Sequence, residues 1–183
     1  MDLSEAIHGR RSVRDYRTEP LNDDALRGLI DAAIWAPSAI NEQPWHFTVV
    51  RNQQKLDRIS ELSKQYMLSN PATVPDHLRA MLTNPDFQIF YHAPTLVVIS
   101  AILAGAWAVE DCALAAQNLM LSAHTQGLGS CWIGFAQPWL QTPDGKAMLE
   151  LPAEYLPVAP IVVGPPNTTS SVVPRKPARV AWG

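Results

Sequence analysis

The chain is poor in the residues that build staples and metal centres. Only two cysteines, Cys112 and Cys131, occur in 183 residues. That fits a reducing compartment and leaves at most one disulfide. Five histidines are scattered without an HxH or HxxxH spacing, so no metal site is expected. Charge is sparse and nearly balanced: 14 basic against 17 acidic residues leave a net charge of −3. This argues against a general nucleic-acid or anionic-membrane surface. The longest apolar stretches contain or abut Glu110, Asp111, Gln117 or Asn118 and are too short to span a bilayer. The opening Met-Asp-Leu-Ser-Glu has no basic stretch followed by an apolar run. No signal peptide is therefore expected, and the expected location is cytoplasmic. With no internal repeat, low-complexity block or linker, the chain reads as one domain over 1–183 with a substantial core.

Hydrophobic residues make up 47% of the chain, enough for that core. A short helix ends at Gly9. Asn22 suits the N-cap of a second helix, with Asp23 and Asp24 complementing its dipole and Leu26, Leu29, Ile30 and Ala33 forming its stripe up to Pro37. Residues 46–51 read as a strand and 54–67 as a helix. Residues 68–92, with three prolines, read as an irregular or partly helical excursion. The apolar run 95–102 predicts a buried central strand. Residues 106–126 predict the longest helix, closed by Gly127. It is apolar nearly all round, which places it either at the centre of its own domain or against a partner. Strands at 130–133 and 158–163 and a short helix at 145–149 follow. The Pro-rich tail 164–183 has no helical period and is either disordered or laid in extended form over another surface. The alternation makes the fold α+β or α/β with four or five strands.

Four of the ten arginines fall within the eight residues Arg10-Arg11-Ser12-Val13-Arg14-Asp15-Tyr16-Arg17. Planar guanidinium forks with a hydroxyl among them suit a phosphate monoester. The competing reading is a solvated face in which Asp15 or Asp24 pairs with Arg14 or Arg17. A second constellation is the loop Ala36-Pro37-Ser38-Ala39-Ile40-Asn41-Glu42-Gln43-Pro44-Trp45. Its prolines stiffen the backbone that presents Ser38, Asn41 and Gln43, and such groups suit a polyol or a heterocycle edge. On its own the segment reads as just a helix-to-strand connection, with Trp45 in the core. In Gly127-Leu128-Gly129-Ser130-Cys131-Trp132-Ile133-Gly134, glycines on both sides of a strand let a planar group approach the backbone. Cys131 reads as a small buried strand residue with nothing basic beside it in sequence, and His124 as a core histidine. Arg175-Lys176 adds a second pair of cations in the tail.

Taken in order, these segments, with Ala-Ala-Gln-Asn-Leu-Met-Leu-Ser-Ala-His at 115–124, resemble the nitroreductase family. Its members are flavoproteins that hold FMN at the interface of an intertwined homodimer. The resemblance runs from residue 10 to residue 176. It implies an α+β nitroreductase-like fold, with a mixed or antiparallel sheet of four to five strands flanked by helices, and a tail 164–183 wrapped on the partner subunit. By resemblance, Arg10, Ser12 and Arg14 bind the FMN phosphate, ribityl oxygens or pyrimidine edge, and Arg11 adds backbone or side-chain contacts. Arg175 and Lys176 close on the phosphate. Pro37, Ser38, Asn41 and Gln43 reach the flavin of the other subunit, and Cys131, Trp132, Ile133 and Gly134 lie beside the isoalloxazine. The excursion 68–92 falls where the family varies; Asn84 is the candidate there for the residue that faces the flavin pyrimidine.

The implied activity is reduction of planar, electron-poor acceptors such as nitroaromatics or quinones. NADPH or NADH gives a hydride to flavin N5, and the acceptor then takes its place. The cofactor carries that chemistry, so no catalytic side chain and no metal is expected. Two alternatives remain open. One is a specialised flavin enzyme of the same fold, a dehalogenase or a flavin-fragmenting enzyme. The other is a flavin-binding or storage protein with little turnover.

Overall fold

A computed structural model describes residues 1–70, 74–102, 105–168, 171 and 173–183. Parts of the 68–92 excursion and of the 164–183 tail therefore lie outside the described residues. The helices are α1 (Leu3–Gly9), α2 (Asp23–Ile34), α3 (Gln53–Ser69), α4 (Asp76–Thr83), α5 (Ala108–Thr125), α6 (Gln137–Leu140) and α7 (Pro143–Met148). The strands are β1 (Trp45–Val50), β2 (Thr95–Ala101), β3 (Gly129–Trp132) and β4 (Leu156–Gly164). The four strands form one sheet in the order β1-β2-β4-β3, antiparallel at every pairing.

Helices cover both faces of this sheet, so its central strands do not alternate between apolar and polar. All seven residues of β2 are buried. Leu96 and Val98 join Val162, Leu56 and Ile59 of α3 and Leu140 of α6 in one core. Val97 and Ile99 join Ile161 and Val163 in the other, with Leu26 and Leu29 of α2 and Ala115, Ala116 and Leu119 of α5. The apolar run at 95–102 thus reads correctly as a central strand. β4 extends beyond the expected 158–163 although it contains two prolines. Pro160 accepts a hydrogen bond from Ile133 N at 2.7 Å on the β3 side. Its ring nitrogen faces the same way, just past the end of β3, so no ladder bond is lost.

Local signals set the helix ends. The Asn22 side chain accepts from Ala25 N, and the Asn52 side chain from Lys55 N. Gly127, at φ 74°, ends α5: its N–H donates to His124 O and Leu128 N donates to Ala123 O. That double closure requires a left-handed residue. α5 is buried mainly within its own chain, between α2 and the sheet, and leaves Leu114 and Val109 exposed. α6 was not expected, because a four-residue turn carries no period; its Trp139 and Leu140 nonetheless fill the core. α7 starts two residues before the expected 145, because Thr142 Oγ1 accepts from Gly145 N. In the excursion, α4 is followed by turns that Lys64 pins down. Its buried ammonium donates to Asn84 O at 3.0 Å and Phe87 O at 2.8 Å. Among the described residues, no helix is long and apolar enough to cross a membrane.

Two glycines separate backbone freedom from close approach. A Cβ on Gly28, exposed in α2, would meet nothing within 4 Å, whereas one on Gly129 would lie 2.8 Å from Val13 Cβ. Gly28→Ala is expected to stabilise the chain by about 0.5–1 kcal/mol. Gly129→Ala is expected to destabilise it by about 1–3 kcal/mol. Urea unfolding of the two variants checks the opposite signs.

Candidate functional site

The arginine-rich segment leaves α1 and runs in extended form between β3 and the start of the tail. Ser12 bridges to Ser130, and Val13 N donates to Ser130 O at 3.0 Å. On the other side Tyr16 bridges to Pro166, Arg17 N donates to Pro165 O at 2.9 Å, and Asn167 N donates to Asp15 O at 3.0 Å. Alternate residues of an extended chain share a side, which groups Arg10, Ser12 and Arg14. Val13, on the opposite side, packs on Gly129. The Asp15 carboxylate accepts from Asn167 Nδ2 and Thr168 Oγ1. Asp15 is therefore committed to the tail, and among the described residues no ion pair joins it to Arg14 or Arg17. Arg17 instead pairs with Glu19 at 3.8 Å, at the surface.

A cavity of about 450 Å³ opens along this segment, walled by Arg10, Arg11, Ser12 and Arg14 from the chain start and by Arg175 from the tail. Burial, then Arg175, then Arg11 hold the Arg10 guanidinium below the ordinary arginine value. Like charges crowded in a half-buried site are costly, and a bound anion removes that cost. Arg11 contributes less freely than its neighbours, since its Nη1 donates to His8 O at 2.6 Å and Arg10 O at 2.8 Å at the end of α1. Behind these arginines His124 packs over Gly9. Burial, then Arg10, then Arg11 lower its pKa, which favours the neutral ring.

A second cavity, of about 180 Å³, shares Arg14 with the first. Cys131, Trp132, Ile133, Gly134 and Phe135 line it, together with Tyr91 from the excursion. Gly134 brings no side chain, and a Cβ there would meet nothing within 4 Å, so a flat group can lie against the backbone. The two cavities fit a ligand with a phosphate at one end and a planar ring at the other. Cys131 is less isolated than its sequence neighbours suggest: Arg14, Ser12 and Arg10 all favour its thiolate. Burial outweighs them and raises the thiol above its ordinary value.

The other expected residues lie elsewhere. Lys176 lines neither cavity, and neither do Pro37, Ser38, Asn41 and Gln43. The loop bearing the last four is internally satisfied. Gln43 N donates to Ser38 Oγ, and Gln43 Nε2 donates to Asn41 Oδ1. Ile40, Asn41 and Gln43 all have left-handed backbone, at φ 44°, 60° and 50°. Buried Asp111 of α5 anchors the turn by accepting from Ala39 N at 3.1 Å, while its other oxygen has no partner among the described residues. Asn84 lies away from the cavities: its side chain accepts from Asp86 N. Sequence reasoning missed Tyr91 and Asp111, because each acts through a contact distant in sequence.

Comparison with known proteins finds relatives over most of the chain. The model of the nitroreductase family matches residues 7–164. A Methanothermobacter thermautotrophicus protein, provisionally named NADH dehydrogenase/NAD(P)H nitroreductase, is 32% identical over 91% of this chain and 78% of its own length. An FMN reductase [NAD(P)H] of Bacillus subtilis is 29% identical over 96% of this chain and 70% of its own. The crystal structure of a nitroreductase with bound FMN from Bacteroides fragilis superimposes with a TM-score of 0.81. It covers 98% of this chain and 95% of that one, at 31% identity.

Two outcomes test the buried groups. Asp111→Ala is expected to cost about 1–3 kcal/mol and to speed hydrogen exchange at the Ala39 amide. Burial pushes the Cys112 thiol up to about 12, helped by Asp111. Both cysteines are thus expected to resist a disulfide reagent at pH 8 until the chain is unfolded. A raised thiol pKa favours the folded state while the thiol stays protonated. That contribution is full below the ordinary thiol value and declines as pH climbs from there toward about 12. Stability measured across alkaline pH checks the sign.

Proposed function

This chain belongs to the nitroreductase family, and we propose that it is an FMN-dependent oxidoreductase that uses NADPH or NADH to reduce planar, electron-poor acceptors such as nitroaromatics and quinones. The observation that carries this reading is the pair of cavities joined at Arg14, one crowded with guanidinium groups and one walled by a strand end. Bound FMN would supply the redox chemistry, accepting a hydride from the nicotinamide and passing electrons to the acceptor.

The chain's own residues bind and orient. Arg10, Ser12 and Arg175 hold the phosphate, with Arg11 and Lys176 at its margin. Arg14 sits where phosphate and ring ends meet and places positive charge near the ring, favouring its reduced, more negative form. The backbone of Cys131, Trp132, Ile133 and Gly134 supports the ring and keeps water from one side of it.

The loop with Pro37, Ser38, Asn41 and Gln43 serves the ring bound by a second copy of the chain, and the active species is a homodimer. What supports this is apolar surface that one chain leaves uncovered: Trp35 is 78% exposed, Trp107 57%, and Trp182, near the end of the tail, 92%. Although the expected wrapping tail begins at 164, residues 164–167 pair within their own chain and Arg175 walls its own cavity, so it is the tail past Arg175 that wraps the partner, and the dimer works in the cytoplasm.

The purified protein is expected to be yellow and dimeric by light scattering, and to be bleached by NADPH or NADH in stopped flow. Nitroaromatics or quinones then restore the colour. Replacing both Arg10 and Arg14 with Ala is expected to abolish FMN retention without unfolding the chain. A double variant that purifies with full flavin overturns the phosphate site.

A further inference from the structure

We propose that Tyr91 is a direct hydrogen-bond donor to the polar edge of the ring held in the smaller cavity, a role that rests on the FMN reading above. Tyr91 reaches that cavity by an unusual route. It and His92 are consecutive left-handed residues, at φ 54° and 56°, just before β2. An L-residue adopts that conformation at a cost of about 1–2 kcal/mol. Strain of this kind persists only where the surroundings fix it. Here Tyr91 N donates to Gln88 O and Ala93 N donates to Phe90 O, with Phe90 fully buried. Gln88 Oε1 accepts from Phe90 N. The Phe87 ring meets the Tyr91 ring edge-on at 5.8 Å. Lys64 in turn holds the Phe87 carbonyl. The aim of the Tyr91 ring is therefore set by the core and not by chance.

The direction of its proton follows from its neighbour. The Arg14 guanidinium and the Tyr91 hydroxyl share the wall of the cavity, close enough for Arg14 to favour the ionised phenol. A guanidinium has donors only, so the Tyr91 O–H donates elsewhere. The remaining lining side chains, Cys131, Trp132, Ile133 and Phe135, offer no oxygen acceptor. A ligand in the cavity is the acceptor this proposal assigns to it. Burial raises the phenol above its ordinary value, so the proton is present at neutral pH. A cation and a neutral donor side by side match an edge carrying carbonyl oxygens and ring nitrogens, and the isoalloxazine pyrimidine is such an edge. Negative charge on that edge grows on reduction, so the bond strengthens in the reduced form.

Tyr91→Phe removes the oxygen alone. Apo wild type and Y91F are titrated with FMN, with lumiflavin (the ring without ribityl phosphate) and with inorganic phosphate. The midpoint potential of bound FMN is then measured. The expected result is an affinity about fivefold lower for FMN and lumiflavin alike, with phosphate binding unchanged. Reduced FMN is expected to lose about tenfold more affinity than oxidised FMN, which lowers the two-electron potential by about 30 mV. Unchanged ring affinity and potential overturn the proposal and leave the FMN reading standing. So does an equal loss of phosphate binding, which would mean that Tyr91 acts through the fold. Wild type that binds no FMN overturns the FMN reading, and this proposal with it. If Y91F does not fold, Tyr91→Gln, which keeps a donor, and Tyr91→Met, which keeps none, replace it. Equal affinity of those two for lumiflavin refutes the proposal.

Discussion

The candidate site depends on the pairing of the chain's two ends. Residues 12–17 are hydrogen-bonded to Ser130 on one side and to residues 165–167 on the other. That pairing carries Arg175 to Arg10, close enough for the two charges to disfavour each other. Repulsion of this kind would fray a loosely held segment. The segment is held because its apolar residues are used as anchors. Val13 packs on the bare face of Gly129, and Tyr16 is buried in the core with its hydroxyl donating to Val13 O at 2.8 Å. Asp15 adds a charge-assisted tie to Asn167 and Thr168. Cation crowding is offset by packing a few ångströms away.

Backbone strain is concentrated in the same way. Five of the six described non-glycine residues with left-handed backbone lie in two loops, at 40–43 and 91–92. Each loop leads into a strand with buried neighbours, and each is fixed by a distant group: Asp111 for the first, Lys64 by way of Phe87 for the second. Unusual conformations are thus confined to the segments that present side chains, while the sheet that carries them is regular.

Much of this was legible in the sequence where the signal was local. The uninterrupted apolar run of β2, the Asn22 cap and the Gly127 stop each speak through adjacent residues. β4 was read short at its start, where Pro157 precedes the apolar run; Pro160 lies inside the expected strand, and the end of β3 shows why it is harmless there. α6 is too short to show a period. The arginine cluster was legible by composition as a candidate anion site, with Arg175-Lys176 as a second pair of cations whose closure on it only the family resemblance implied. Tyr91 and Asp111 stayed hidden, since neither residue type signals anything until its φ angle or its contact across the fold is known. Arg11 shows a competing demand: it walls the larger cavity, but its guanidinium also donates to the carbonyls of His8 and Arg10 at the end of α1.

The bond between Asp15 and Asn167 closes a loop of 152 residues. A contact over that distance raises the contact order of the fold, which slows folding. A chain emerging from the ribosome can build its sheet up to β4 before Arg175, which follows β4 in sequence, is available to the cavity it walls. Assembly of the cavity therefore follows assembly of the sheet on which it is built.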